Sequence, residues 1–503
     1  MLITILLLLL TTFLAVLRRP LWVYIQRMLE RQQGRLPPGP FSWPLIGARG
    51  NKLVTPWETM TEWAQHYGPI VSFFQGSVFT VVLSDIEVIK AAFKLPAFEG
   101  RPLNHFFKEP LGQGIAFTEG ARWRKHRKLV VSALRGLAIS GNPQMLFDDH
   151  LKQVAWNLVE RLKSDGPGTA IDPKSLLNVA AGNVISFVVA KDVLTQTDPR
   201  LRKILTSVSD IFSAIPSSDI LSILPWLKGV PPFNAQTNSF ADAFNRLFGV
   251  VGDVVADRRH TLSATTQDAE PVDFADAMFR RQRLSDSDDE LKDEEIIGMA
   301  SEIFFAATED ITLSLRWMVL LLTMHPDVQA KLQNEIDAVI GHLRAPSVSD
   351  RASLNYLEAV RLESMRYSCE TPFSLPHRVT EDTTFMSYHI PKDTTVVANF
   401  YAHNTSEAFW GDPNVFRPER FLDGAGKLNG LSSQLLGFST GRRSCAGENV
   451  AKLTLMVLLA TAMQNVAFSF PDGEAGPPLV RTNGTALHPP VHKILVIPRT
   501  IPA

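Results

Sequence analysis

Hydrophobic positions along this chain recur mostly at helical spacing. Around residues 146–163, 174–190, 199–214 and 235–262, apolar side chains return every three or four positions, which predicts long amphipathic helices. ARWRKHRKLVVSAL predicts a helix with a basic face, and IEVIKAAF a shorter one. Residues 294–325 are apolar nearly all round their middle, and such a helix is buried on most sides. Pro326 opens a further helix with DVQAKLQNEIDAVIG behind it. Period two is rarer. PIVSFFQGSVFTVVLS predicts two strands joined at Gln75-Gly76, and β-type runs fall at HRVTEDTTFMSYHIP and TTVVANFY. The pattern is mainly α with small β-sheets, an α+β body. The acidic run SDSDDELKDEE reads as a solvated loop whose carboxylates suit the N-terminus of the buried helix.

The first residues break this pattern. MLITILLLLLTTFLAVL is uncharged and apolar, at the short end of what spans a bilayer. Arg18, Arg19, Arg27, Arg31 and Arg35 follow it, and no basic segment precedes it. That order favours a retained anchor over a cleaved signal, with the N-terminus lumenal and the body cytosolic. The expected division is an anchor at 1–17, a basic and proline-rich hinge at 18–47, and one catalytic domain at 48–503. Pro37, Pro38, Pro40 and Pro44 read as a stiff extended spacer.

Composition narrows the partners. The 503 residues carry a formal net charge of -1, which argues against nucleic acid. At 45% hydrophobic the chain supports a large core. Length alone suggests about three domains, yet no linker, repeat or low-complexity tract divides the body. Only two cysteines are present, so there is no disulfide framework, in keeping with a reducing compartment.

One of those cysteines sits in FSTGRRSCAG. A lone cysteine is usually a small buried hydrophobe, and Cys369 is read so. Cys445 lies among glycines and arginines, just before a helical run starting near Ala446. Gly441 and Gly447 permit tight turns and close approach to a flat ligand. The helix N-terminus and Arg442 and Arg443 predict a lowered thiol pKa. A single thiolate is a poor zinc site but a good axial ligand for haem iron.

Phe438, Gly441, Arg443, Cys445 and Gly447 match, position for position, the cysteine-loop signature of the cytochrome P450 family, the haem-thiolate monooxygenases. Glu363 and Arg366 in ESMR resemble that family's buried Glu-x-x-Arg pair, and Arg420 in FRPERF its third member. Glu358 and Arg361 also fit Glu-x-x-Arg but lack the spacing to SLPHR. Trp123 and Arg127 in WRKHR resemble its Trp-x-x-x-Arg, and they lie one helical turn apart. The resemblance runs from about Pro37 to Pro498 and looks closest to the microsomal animal branch, on FEGRPLNHFF, SLPHRVTEDTTF and HPDVQAKLQNEIDAVIG.

The resemblance implies haem b, with Cys445 on the iron and with Arg101, Trp123, Arg127, His377 and Arg443 toward its propionates. Phe438 and Gly447 belong to the same cofactor-binding loop. It implies NADPH acting through NADPH–cytochrome P450 reductase, with cytochrome b5 as a further partner. It implies an endoplasmic reticulum membrane protein of single-pass topology, in contact with membrane lipid. A pocket of Phe107, Ile115, Phe117, Phe212, Phe305, Ala306, Phe373, Leu375 and Thr485 is implied too, suited to a lipophilic sterol, fatty acid or xenobiotic. Residues 220–233, apolar with one lysine, are expected to dip into the membrane surface, a buried loop being the alternative.

The buried helix departs from the family's Ala-Gly-x-(Asp or Glu)-Thr-Thr. It reads Ala306, Ala307, Thr308, Glu309, Asp310, Ile311. The alcohol that normally follows the acid and helps deliver protons to dioxygen is replaced by Asp310. Thr312 lies about 200° further round, and Thr308 on another face. Two acids in an apolar helix are costly unless paired or protonated. Three readings follow. In the first, Glu309, Asp310 and water, with Thr308 nearby, relay protons for insertion of one oxygen atom of O2 into a C–H or double bond. In the second, the haem rearranges or dehydrates peroxides or oxygenated lipids without O2. In the third, it only binds a ligand. The basic helix beside Arg442 favours the first, since an acidic electron donor can dock there.

Overall fold

The computed structural model describes residues 2–48, 55–102, 113–139, 141–164, 166, 168–195, 197–215, 230–262, 270–284, 291–471, 476–479 and 486–499; the side chains of 2–16, 139 and 236 fall outside it. Phe107, Thr485, most of the 220–233 loop and part of the acidic run lie outside the described residues.

The order begins with α1 (Leu2–Gln32), β1 (Ser42–Trp43), β2 (Gly47–Ala48), α2 (Pro56–Tyr67), β3 (Ile70–Gln75), β4 (Val78–Leu83) and α3 (Ile86–Lys94). It continues with α4 (Gly120–Ile139), α5 (Gly141–Lys163), β5 (Ala170–Ile171), α6 (Lys174–Ala190), α7 (Pro199–Ala214), α8 (Asn234–Leu262), α9 (Phe274–Arg283), α10 (Asp293–Met324), α11 (Pro326–Val339) and α12 (Asn355–Ser368). Then come β6 (His377–Arg378), β7 (Thr383–Phe385), β8 (Tyr388–Ile390), β9 (Thr395–Ala398), α13 (Phe400–Asn404), α14 (Glu407–Trp410), α15 (Glu448–Asn465), β10 (Val466–Ser469) and β11 (Ile494–Pro498). The fold is mostly helical with small sheets, and the helices at 174–190 and 199–214 fall where periodicity puts them. Their starts have local causes: Pro199 opens α7 behind Asp198, whose side chain accepts from the Arg200 N–H.

The sheets take the order β1-β2-β3-β4-β9-β6, β10-β11-β5 and β7-β8, with β4 and β9 parallel. The core is built round α10. Trp317 is fully buried there, and its indole N–H donates to the Leu487 carbonyl at 2.8 Å. A second apolar cluster fills the space between the large sheet and α3.

The proline segment is not free of the body. Ser72 donates its backbone N–H to the Pro38 carbonyl at 2.8 Å and its hydroxyl to the Pro37 carbonyl at 2.5 Å. β1 and β2 then extend the sheet, because prolines that cannot donate still accept. α1 runs through Arg18, Arg19 and Pro20 without a break. Among the described residues no helix is long and apolar enough to cross a membrane; the side chains of the expected anchor lie mostly outside them.

Candidate active site

α10 is buried almost throughout its second half, yet Ala306 and Asp310 carry accessible surface and Ser314 a little. These positions are four apart and form one stripe. Cys445 is also accessible, at the turn before α15. Burial nevertheless dominates both titrating groups, so that surface faces the interior. It pushes the Asp310 carboxyl up to about 7, helped by Glu309. It pushes the Cys445 thiol up to about 11, against a bond from the Gly447 N–H, with the Asp310 charge adding to the rise. Asp310 and Cys445 therefore face one space.

This corrects the expectation of a lowered thiol pKa. α15 begins at Glu448, not Ala446, and desolvation outweighs its N-terminus. A thiol in this setting becomes a thiolate through the metal it binds, since a coordinating thiol is deprotonated outright. Gly441 also serves differently than expected. Its φ is +73°, and a Cβ there would strike the Phe93 carbonyl oxygen, so it lets the loop pack on α3. Gly447 has open space where a Cβ would point, which suits a flat ligand.

Three guanidiniums gather beside this loop. Arg443 donates to the carbonyls of Glu99, Ile115 and Thr118 at 2.8, 3.0 and 2.6 Å, and its carbon lies 3.9 Å from the Trp123 ring centre. Arg101 donates to the carbonyls of Ala116 and Pro376 at 2.8 and 3.0 Å. Arg127, one turn after Trp123 on α4, donates to the Ser444 hydroxyl at 3.2 Å. Among the described residues none of the three forms a salt bridge. Burial, then repulsion from Arg101, drops Arg443 to about 8; burial, then Arg127, drops Arg101 to about 10. His377 is buried, stacked on Phe93 at 3.9 Å, and shares a 2.7 Å bond with the Phe98 carbonyl; burial, then Arg101, lowers its pKa well below the usual value. Desolvated, mutually repelling cations fit a ligand that brings two carboxylates, as haem does.

The charge cluster behind the loop is complete. Arg366 is bidentate to Glu363 at 2.7 and 2.8 Å, and Arg420 reaches Glu363 at 3.0 Å. Arg420 also holds Asp412 at 2.8 Å. Arg366 bonds the carbonyls of Asn404 and Pro413 at 2.9 Å each, so little of the buried charge is left unsatisfied.

The two acids of α10 separate. Burial raises Glu309, while Lys174 and Arg316 oppose the rise; among the described residues no cation opposes it at Asp310. Thr308 is fully buried with its hydroxyl unpartnered, and its carbonyl accepts from Thr312 at 2.7 Å, so the structure gives it no place in the accessible stripe. Phe212 of α7 stacks on Phe305 of α10, ring centres 4.8 Å apart and 18° from parallel. Ile115 and Phe117 are partly buried against the same core, Phe373 packs near Trp57 and Leu487, and Leu375 is half exposed. Phe438 sits under the Lys452 ammonium at 5.5 Å.

Sequence reasoning missed three carboxylates. Glu99 is buried and holds Arg124 at 2.6 Å and Arg442 at 2.5 Å. Glu302 is buried and accepts from the N–H groups of Ile115 and Ala116 at 2.5 and 2.8 Å, tying α10 to the loop that receives Arg101 and Arg443. An isolated acid two turns before Glu309 in an apolar helix was its signal. Glu370, which accepts from Ser314 at 2.8 Å, had none.

The family model Cytochrome P450 matches residues 37–496. The chain is 30% identical over 452 residues to Cytochrome P450 1A1 of Canis lupus familiaris, covering 87% of this chain and 85% of that protein. It is 32% identical over 455 residues to Cytochrome P450 1A2 of Callithrix jacchus, covering 87% and 86%. By this match, together with the cysteine loop and its arginines, the chain belongs to the cytochrome P450 family, of the animal microsomal type, and is a haem b monooxygenase.

Proposed function

We propose that this protein inserts one oxygen atom of O2 into a lipophilic small molecule and uses Asp310, with Glu309 behind it, in place of the usual alcohol. Haem, held by the Cys445 thiolate, would supply the oxygen activation. The chain's own residues do the rest. Arg101, Arg127, Arg443, Trp123 and His377 hold the propionate edge. Asp310 presents an acid that is half protonated near neutrality, the condition for giving up and regaining a proton within one cycle. Glu309, which meets Lys174 and Arg316, repels the negative charge left on Asp310 when that proton departs and so favours its reprotonation. The stacked Phe212 and Phe305 rings offer a flat wall, which favours a substrate with planar apolar character.

The observation that carries this reading is that Asp310 and Cys445 share one interior space, with Asp310 held near 7. NADPH-dependent oxygen uptake with added reductase, across a panel of lipophilic substrates, tests it. Product-linked uptake is expected; hydroperoxide turnover without NADPH, and no coupled uptake, overturns it. Arg124 and Arg442, both part-exposed and sharing the buried Glu99, with exposed Lys128 and Arg135 along α4, form the basic face on which the reductase and cytochrome b5 would dock. α1 anchors the chain in the endoplasmic reticulum membrane on this reading, with Trp22, Ile25 and Leu29 exposed along its second half and Phe41 and Trp43 exposed beyond it to meet lipid. Vesicle sedimentation of the full chain against one beginning at residue 36 tests the anchor; equal binding counts against it.

A further inference from the structure

Asp310 has a charge neighbour, Glu370, that no sequence spacing connects to it. α12 ends at Ser368, and Cys369 caps it with a φ of +49° in the left-handed region. Glu370 follows at once. Its own carbonyl is held by the Leu487 N–H at 2.7 Å, so its backbone is fixed. Its Oε1 accepts from the Ser314 hydroxyl at 2.8 Å. Ser314 is the next position of the stripe that holds Ala306 and Asp310. Burial pushes the Glu370 carboxyl up to about 7, Asp310 pushes it further, and Arg361 opposes.

On the other side of Glu370 lies a small cavity between α10, α12 and the cysteine loop. Ser314, Arg361, Ser364, Glu370 and Phe438 line it, and it is roomy enough for a water molecule. Ser364 is 3% exposed, and its hydroxyl has no partner among the described residues. An unpartnered hydroxyl, a guanidinium and a carboxyl around one space are the polar contacts that hold buried water.

We propose that Glu370 and Ser314 form a proton supply to Asp310, recharged by water held between Ser364 and Arg361. The inference rests on the monooxygenase reading. Each turnover takes substrate, O2, two electrons and two protons to hydroxylated product and water. The electrons come from NADPH through the reductase. If the protons arrive late or in the wrong place, the same O2, two electrons and two protons leave as hydrogen peroxide. Asp310 gives a proton into the site, Glu370 returns one to Asp310, and cavity water restores Glu370. Glu370 is a positioning residue in this scheme, because it acts through Asp310. Having Asp310 where an alcohol is usual makes such a supply useful: a carboxylate that has given its proton must be reprotonated before it can act again.

The test uses the full chain with haem, reduced and bound to carbon monoxide. Infrared difference spectra on photolysis of the CO complex, in H2O and D2O, report any buried protonated carboxyl coupled to the site. The expected result is a carboxyl band that shifts to lower frequency in D2O, is lost in Glu370→Leu, and moves without vanishing in Ser314→Ala. With reductase and NADPH, peroxide formed per NADPH is expected to rise about tenfold in both variants. Should Glu370→Leu give no CO complex, Ser314→Ala decides alone. A wild-type band and peroxide ratio in the variants, with an unaltered CO complex, overturns the proposal. If the wild type takes up no oxygen with NADPH and reductase, the monooxygenase reading fails instead, and the infrared band alone decides whether Glu370 is coupled to the site.

Discussion

The Arg443 guanidinium lies over the Trp123 ring, its carbon 3.9 Å from the ring centre. The contact joins the cysteine loop to α4 and faces a buried cation with a quadrupole rather than a carboxylate. Among the described residues Arg443 forms no salt bridge, which suits the anionic ligand proposed for it.

Trp123→Ala removes that contact together with a buried ring. The loss is expected to be about 3–5 kcal/mol of stability from the cavity alone. Trp123→Phe keeps part of both. Haem transfer to an excess of a haem-scavenging apoprotein is expected to be fastest for the Ala variant, intermediate for Phe and slowest for the wild type. Equal rates in all three would remove Trp123 from the haem site.

Cys445→Ser replaces the sulfur proposed to hold the iron with a weakly acidic hydroxyl. The Soret band of the ferrous–CO complex is expected to leave its thiolate-specific position. A spectrum identical to wild type would overturn Cys445 as the iron ligand.

Asp310→Asn preserves shape and removes the exchangeable acid. Product formed per NADPH is expected to fall by about 100-fold, with the electrons recovered as peroxide. The Soret band of the CO complex should remain in place, because Asp310 is not on the metal-ligand loop. Unchanged coupling would show that protons reach the site by another route.

Glu302 gives a pH dependence with a definite sign. Burial raises its carboxyl to about 7 from an ordinary 4.5, despite two backbone bonds and the nearby Arg443 and Arg101. A raised carboxyl binds its proton more tightly in the folded state, so its contribution is intact at low pH and is lost as pH rises through about 7. Glu302→Gln retains an acceptor and cannot ionise. Relative to wild type, its stability in chemical denaturation is expected to improve by roughly 2–3 kcal/mol between pH 5 and pH 8. A difference that stays flat with pH would show that Glu302 ionises normally in the folded protein.

The helices at 174–190 and 199–214, whose apolar periodicity is long and clean, and the hairpin at Gln75-Gly76 were legible before any coordinates. These depend on local propensity and on burying one face, and both are written in neighbouring residues. The sequence also pointed to Cys445 and to the trio Glu363, Arg366 and Arg420, because fixed motif spacing survives without coordinates. What it could not supply were quantities that depend on distant parts of the chain. The Cys445 thiol is raised rather than lowered because desolvation by the surrounding fold exceeds the field of one helix end. Glu309 and Asp310 are adjacent in sequence but differ in company, since only Glu309 meets Lys174 and Arg316. Glu302 finds its amides 186 and 187 positions away, and Glu370 finds Ser314 at 56. The proline segment is tied to β3 by a serine 35 positions on. Each is a long-range contact, and burial and through-space charge act on distance in the folded molecule, which sequence separation does not encode.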